Sequence, residues 1–194
     1  MNKDILINKY KDLVSFNKND FINDVNFFKN KLNLNSFTTA PVLIYNRNKR
    51  NALYYTLCIY YSLKDNRILD YSVITGQTLI NQHFMTEESR DPNVYNAAFY
   101  SDITFISLSQ FDYTSEYLEN LIIDLVEFRN INKKITVISY DILDLNKVNY
   151  IALTKKLHSY FSANRYTIVD LENISEKTAT SQSNKQIKKS GRIV

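Results

Sequence analysis

From Asp20 to about Leu34 the apolar residues Phe21, Val25, Phe28 and Leu32 recur at three- and four-residue steps. That spacing predicts an amphipathic helix with Asp20 as its N-cap. The pattern then changes: Pro41-Val42-Leu43-Ile44-Tyr45 is a short unbroken apolar run, as expected of a strand buried on both faces. The polar stretch Asn46-Arg47-Asn48-Lys49-Arg50-Asn51 follows directly, and a helix is predicted from Ala52 through Leu53, Leu57, Tyr60 and Tyr61. The alternation continues with strands over 69–74, 102–107, 134–139 and 166–169, and helices over 76–84, 114–128 and 145–161. The segment from Thr86 to Asn93, which contains Pro92, reads as a loop.

Strands that alternate with helix-length crossovers give a parallel sheet covered on both faces. The expected fold class is therefore α/β: a five-stranded, parallel, doubly wound sheet with four crossover helices, one N-terminal helix and no separate lid domain. The chain divides into an N-terminal helical segment over 1–38, an α/β domain over 39–172 and a flexible basic tail over 173–194.

Composition refines this picture in three places. The 194 residues are rich in Asn, Lys, Ile and Tyr but hold only two Gly and two Pro, so the tyrosine content reads as a coding bias and not as a functional signal. A single cysteine, Cys58, lies in an apolar helical run and rules out an internal disulfide or a cysteine-cluster metal site. The start carries no basic-then-apolar leader and no stretch is apolar enough to span a membrane, so a cytoplasmic protein without a membrane partner is expected.

The charge of +4 is uneven. From position 177 onward there are five basic residues (Lys177, Lys185, Lys188, Lys189 and Arg192) and no acid, which leaves residues 1–176 at 4 − 5 = −1. The excess sits on a polar tail whose tip can touch phosphates or an acidic protein face.

Ligands of open parallel sheets bind beyond the carboxyl ends of the strands. Strand, short polar loop and helix around Asn46–Asn51 form the context of a Walker A phosphate loop, which needs two glycines, a Lys for phosphate and a Ser or Thr for magnesium. Here Asn46 and Asn51 stand where the glycines belong, and Ala52 and Leu53 stand for Lys and Ser/Thr. A register one residue earlier is no better. Asn tolerates left-handed backbone, so the bend can survive while the magnesium ligand is lost. Arg47, Lys49 and Arg50 can still hold an anion, or simply form a solvated basic loop.

A Walker B strand ends in acids that hold magnesium and activate water; the strand over 102–107 ends Phe105-Ile106-Ser107-Leu108. Asp102 lies at its other end and Asp112 near the next helix start. His83 and His158 have no evident partner, and no Gly-x-Ser-x-Gly, His-Glu-x-x-His or Gly-x-Gly-x-x-Gly occurs. Neither a metal site nor a cofactor is expected.

The run Asp102–Leu108, the helix from Thr114 to Arg129 and the strand Lys133–Ser139 together resemble the Walker B-to-sensor region of the DnaC/DnaI-type helicase loaders and the related IstB-type transposition ATPases. The likeness spans spacing and hydrophobic pattern over roughly residues 40–170. It implies a sheet of the P-loop AAA+ type and an oligomeric assembly factor of DNA replication that acts on a ring helicase and single-stranded DNA. The catalytic signatures depart from that family. Ser107 and Leu108 replace the Asp-Glu pair, Ser139-Tyr140 replaces the sensor, and Asn51-Ala52-Leu53 replaces the end of the phosphate loop.

Three readings follow. The first is a pseudo-ATPase accessory factor in DNA replication or recombination, of a phage or mobile element. It would bind a replicative helicase or related ATPase, contact single-stranded DNA through Arg47–Arg50 and through Lys185, Lys188, Lys189 and Arg192, and be able to join an oligomer. The second is a protein-only inhibitor or adaptor, favoured by the near-neutral body. The third is an enzyme with an unfamiliar site, for which Asn46, Ser107, Gln110, Ser139 and Asp141 are the local polar candidates; none has an evident activating partner, so no enzymatic activity is expected.

Overall fold

The computed structural model describes residues 2–14, 18–47, 50, 52–85, 89–109, 116–142 and 154–171. In chain order its elements are α1 (Lys3–Tyr10), α2 (Lys18–Lys31), β1 (Val42–Arg47), α3 (Leu53–Asp65), β2 (Tyr71–Thr75), α4 (Gly76–Phe84), α5 (Pro92–Tyr100), β3 (Ile103–Ser109), α6 (Glu116–Ile131), β4 (Ile135–Ile142), α7 (Lys155–Ala163) and β5 (Thr167–Asp170). The five strands form one sheet in the order β2-β3-β4-β1-β5. All four neighbouring pairs are parallel. That order is the P-loop AAA+ plan, as the fold class expected from the sequence requires.

Side chains on a strand alternate between faces, and the cores follow that alternation. Val42, Ile44, Phe105 and Val137 pack with α1, α2 and α3 on one face. Leu43, Tyr45, Ile106, Leu108, Ile138 and Tyr140 pack with residues of α4 to α7 on the other. Cys58 is buried in the first of these cores, as its apolar setting suggested.

Two helices lie outside the predicted set. Helix α1 buries only Leu6 and Tyr10, so its apolar signal is one pair of residues four apart. Those two nevertheless seat it firmly. The Tyr10 hydroxyl donates to the Leu69 carbonyl (2.8 Å), accepts from the Leu69 amide (3.0 Å) and shares a 2.6 Å bond with Ser62 Oγ, tying α1 to the α3–β2 connection.

Helix α5 begins at Pro92, inside the segment expected to be a loop. The Asp91 carboxylate caps it by accepting from the Asn93 and Val94 amides, and Pro92 occupies the first turn, where its missing N–H costs nothing. The β2–β3 crossover thus holds two helices, and the expected four crossover helices become five. Asp20 is not an N-cap: α2 starts at Lys18, and Asp20 sits within its first turn, where the helix dipole still favours a carboxylate.

With so few glycines, the chain ends its helices by other means. After α3, α6 and α7 the amide of Arg67, Lys134 or Tyr166 bonds back five residues (3.2, 2.8 and 2.9 Å), and the residue before it bonds back three. This is the Schellman closure, which needs a left-handed residue at its centre. Asn66, Lys133 and Arg165 fill that place with φ of 53°, 55° and 56°.

Arg129, on α6, is the largest fully buried side chain. Its Nε donates to Thr136 Oγ1 (3.0 Å), one terminal nitrogen to the Ala98 and Phe99 carbonyls (3.0 and 2.9 Å), and the other to the Ser101 and Ile135 carbonyls (3.0 and 2.7 Å). A guanidinium has five N–H groups, and all are used. Burial pulls its pKa down to about 10, partly offset by Asp102, so the group stays charged at neutral pH.

Arg129→Met should take a donor from each of five acceptors and destabilise the fold by about 3–5 kcal/mol, read by urea unfolding. Among the described residues, only the Ala98 carbonyl keeps a second side-chain donor, in Thr104. Arg129→Lys should recover only a minor part, because an ammonium offers three donors in a different geometry. Lys133→Gly and Arg165→Gly should each raise stability by about 0.5–1 kcal/mol in the same assay, since Gly adopts positive φ without steric cost.

Candidate functional site

The chain leaves β1 for β2 over the face that carries α3, and leaves β4 for β5 over the face that carries α7. The gap between the carboxyl ends of β1 and β4 is therefore a topological switch point, where doubly wound sheets bind ligands. Asn46 and Asp141 are register partners there, and Ser107 and Ser139 are partners one strand over. All four lie on the α3 side, on the rows begun by Ile44, Phe105 and Val137. On that face the strands turn from apolar to polar at their ends.

The polar groups form one network. Asn46 Nδ2 donates to Asp141 Oδ1 at 3.1 Å, and Ser139 Oγ donates to the same oxygen at 3.0 Å. Asn46, Ser139 and Asp141 are all buried. Tyr54, in the first turn of α3, stacks on Phe105 with ring centroids 4.4 Å apart, and its hydroxyl lies beside Ser107 and Ser139. Burial raises its pKa to about 12, with the Asp141 charge adding to the rise and the two serine hydroxyls opposing it. The phenol is thus protonated at neutral pH. Asn46 also spans the following loop through two long contacts, its Oδ1 taking the Arg50 amide at 3.4 Å and its Nδ2 reaching the Arg50 carbonyl at 3.5 Å.

Asp141 places a buried carboxylate at the strand ends. The Arg50 guanidinium is turned toward α2, where it pairs with Asp24 Oδ1 at 3.1 Å and lies 3.6 Å from the centre of the Phe27 ring. Arg50, expected to contact phosphate, is held here by an internal ion pair and a cation–π contact.

Chemically the network lacks an activated nucleophile. Ser139 bonds straight to a carboxylate, too weak a base to strip a hydroxyl at neutral pH. No imidazole joins them. His158 packs beside Tyr45 on the α7 side, with centroids 6.3 Å apart, and His83 packs against Phe84 and Tyr117. Among the described residues no three His, Cys, Asp or Glu side chains gather as metal ligands.

Of the five polar residues read from the sequence as local candidates, Asn46, Ser107, Ser139 and Asp141 converge. Gln110 lies outside the described residues, as do Asn48, Lys49, Asn51 and Asp112, the side chain of Arg47, and the tail residues Lys185, Lys188, Lys189 and Arg192. Leu108, read as half of a lost Walker B pair, does not join the site: one residue after Ser107, it points into the opposite core. Asp102 lies at the amino end, paired with Lys134 (3.1 Å) and Arg67 (3.2 Å). Tyr54 was missed, because within an apolar helical run it reads as one more core aromatic. Its position in the first turn after a strand-end loop is the signal that would have found it.

No family model matches the sequence, and no curated protein does. Among solved structures the chain is similar to a replication initiator, DnaA, bound to AMPPCP and single-stranded DNA (TM-score 0.47, 15% identity, 93% of this chain and 55% of that one). It is also similar to a DNA replication initiation factor (TM-score 0.40, 13% identity, 86% and 50%) and to the DnaC helicase loader (TM-score 0.46, 13% identity, 80% and 90%). The chain spans about half the length of the first two.

Tyr54→Phe keeps the ring stack and deletes only the hydroxyl beside Ser107 and Ser139, so it should cost about 1 kcal/mol in urea unfolding. Asn46→Ala removes a donor to Asp141 and the span across the loop, and should cost at least as much. A loss of only a few tenths in both variants would mean that the network is not held as described.

Proposed function

We propose that this chain is a catalytically inactive AAA+-like accessory factor in DNA replication or recombination, which binds a helicase or partner ATPase without using a nucleotide of its own. The observation that carries the proposal is the polar network at the β1 and β4 ends. Where a nucleotide-hydrolysing relative needs magnesium ligands and a catalytic acid, Asn46 and Ser139 both donate to Asp141, with Tyr54 and Ser107 beside them. Nucleotide entry has to break bonds within that network and bring phosphate up to a carboxylate. The link to replication is supported by the sequence resemblance to the helicase loaders and by the shared strand order; the fold alone hosts many functions.

Single-stranded DNA is a further contact in this reading, through Lys185, Lys188, Lys189 and Arg192. A protein-only adaptor is the second reading, and one observation favours it: Arg50 is committed to Asp24 and Phe27 within the fold. Together with a body of charge −1, that leaves the tail as the main source of phosphate contacts.

Fluorescent ATP and ADP, titrated with magnesium, should show no binding in the micromolar range, while single-stranded DNA should bind in a way that depends on residues 178–194. With four tail cations engaged, a threefold rise in salt should weaken that binding by roughly 20-fold. Micromolar nucleotide binding would overturn the central claim. DNA binding that is absent with the tail intact would select the protein-only reading.

A further inference from the structure

A groove of about 290 Å³ lies between α1, α2 and α3, on the far side of α3 from the sheet. Its walls are apolar: Leu6 and Ile7 from α1, Val25 from α2, and Tyr55, Ile59 and Leu63 from α3. Apolar side chains at its mouth stand in water, with Ile7 47% and Leu63 42% exposed. On α2, Ile22 is 44% exposed and stands one turn before Val25, so the apolar stripe continues beyond the groove. A monomer gains nothing by leaving such a stripe uncovered.

Two polar features give the groove a direction. Lys3 and Lys29 line it, no acid does, and neither lysine is ion-paired among the described residues. On α2, Asp24 is already committed to Arg50. Thr56 also lines the groove and is buried, and its Oγ1 has no hydrogen-bond partner among the described residues. A buried hydroxyl without a partner is costly, and an incoming group that bonds to it recovers that cost.

We infer that this groove is the docking site for an amphipathic helix of a partner protein, one whose apolar anchors are flanked by Asp or Glu. The volume sits at the lower edge of the ~300–1,000 Å³ typical of small-molecule pockets, so it suits a few anchor side chains better than a whole ligand. Helix-in-groove recognition reads such anchors at i, i+3/i+4 and i+7, and here the walls are themselves helices. Charge selects among occupants. From position 177 onward the chain's own tail carries Lys177, Lys185, Lys188, Lys189 and Arg192 and no acid, so Lys3 and Lys29 repel it. A second copy docked groove to groove brings those lysines against themselves. An acid-flanked helix satisfies both. The inference does not depend on the nucleotide or DNA reading, which concerns the opposite side of α3 and the tail.

The test is a phage-displayed library of helix-forming peptides panned against the full chain, with counter-selection on a variant carrying Ile7→Glu and Leu63→Glu. Both positions are exposed, so the variant should keep the wild-type melting temperature, which is checked first. Enriched peptides should show apolar residues at helical spacing beside Asp or Glu. A fluorescein-labelled copy of the best of them should bind the wild type with an affinity at least tenfold above that for the variant. Lys3→Glu with Lys29→Glu should weaken binding several-fold and flatten its dependence on salt. Enrichment of basic or unpatterned peptides, or equal binding to all variants, overturns the inference. So does sedimentation showing a wild-type dimer that Leu63→Glu dissolves, since the groove is then an interface between copies.

Discussion

A guanidinium buried to zero exposure has to find a partner for every proton it carries, and Arg129 does so by drawing three separate elements together. It takes the carbonyls of Ala98, Phe99 and Ser101 at the end of α5, where the helix dipole leaves negative charge, and it takes Ile135 and Thr136 at the start of β4. The Ala98 carbonyl also accepts from Thr104 of β3 (3.0 Å), which shares a 2.8 Å bond with Ser72 of β2. Ser72, Thr104 and Thr136 are register neighbours across three strands. One cation thus completes a polar row crossing half the sheet, and the position of α5 follows from it. Breaking one side of such an arrangement is expensive because the remaining groups stay buried without water.

The sheet carries a second polar gathering on its opposite face and at its opposite end, and the contrast explains why only one is a candidate site. The Arg129 row lies at the amino ends of the strands, where doubly wound folds do not bind ligands, and its partners are mostly backbone carbonyls. The Asn46–Tyr54–Ser107–Ser139–Asp141 network lies at the carboxyl ends, beside the switch point, and its partners are side chains. Side chains can be exchanged by evolution without altering the fold, and backbone carbonyls cannot. That difference in partners is why the carboxyl-end network, and not the Arg129 row, is the candidate site.

Much of this was legible from the pattern of apolar and polar positions. The continuous apolar run Val42–Tyr45 marked β1 as a strand buried on both sides, and the alternation of apolar stretches with helix-length crossovers placed the other four. The convergence of Asn46, Ser107, Ser139 and Asp141 followed from the ends of those strands. What escaped was of two kinds. Helix α1 is too short and too sparsely apolar to announce itself, and it is held by one tyrosine hydroxyl whose partners are some 50 to 60 residues away. Helix α5 hid behind its proline, which reads as a loop unless Asp91 is recognised as its cap. Arg129 and Tyr54 owe their roles to neighbours brought by tertiary packing, which single-sequence periodicity does not encode.

The scarcity of glycine bears on how the loop after β1 is to be judged. Missing glycines in a phosphate loop usually argue that the backbone cannot make the bend. In this chain that argument is weak, because Asn66, Lys133 and Arg165 all take left-handed backbone where other proteins place Gly. A sequence that closes three helices this way could also turn a tight loop through Asn. The stronger case against phosphate lies in the side chains. Asn46 spends its amide on Asp141 and on the ends of the loop, and Arg50 spends its charge on Asp24. On the reading proposed above, restoring glycine alone would therefore not restore a phosphate site, whereas freeing Arg50 from Asp24 would return a cation to the loop.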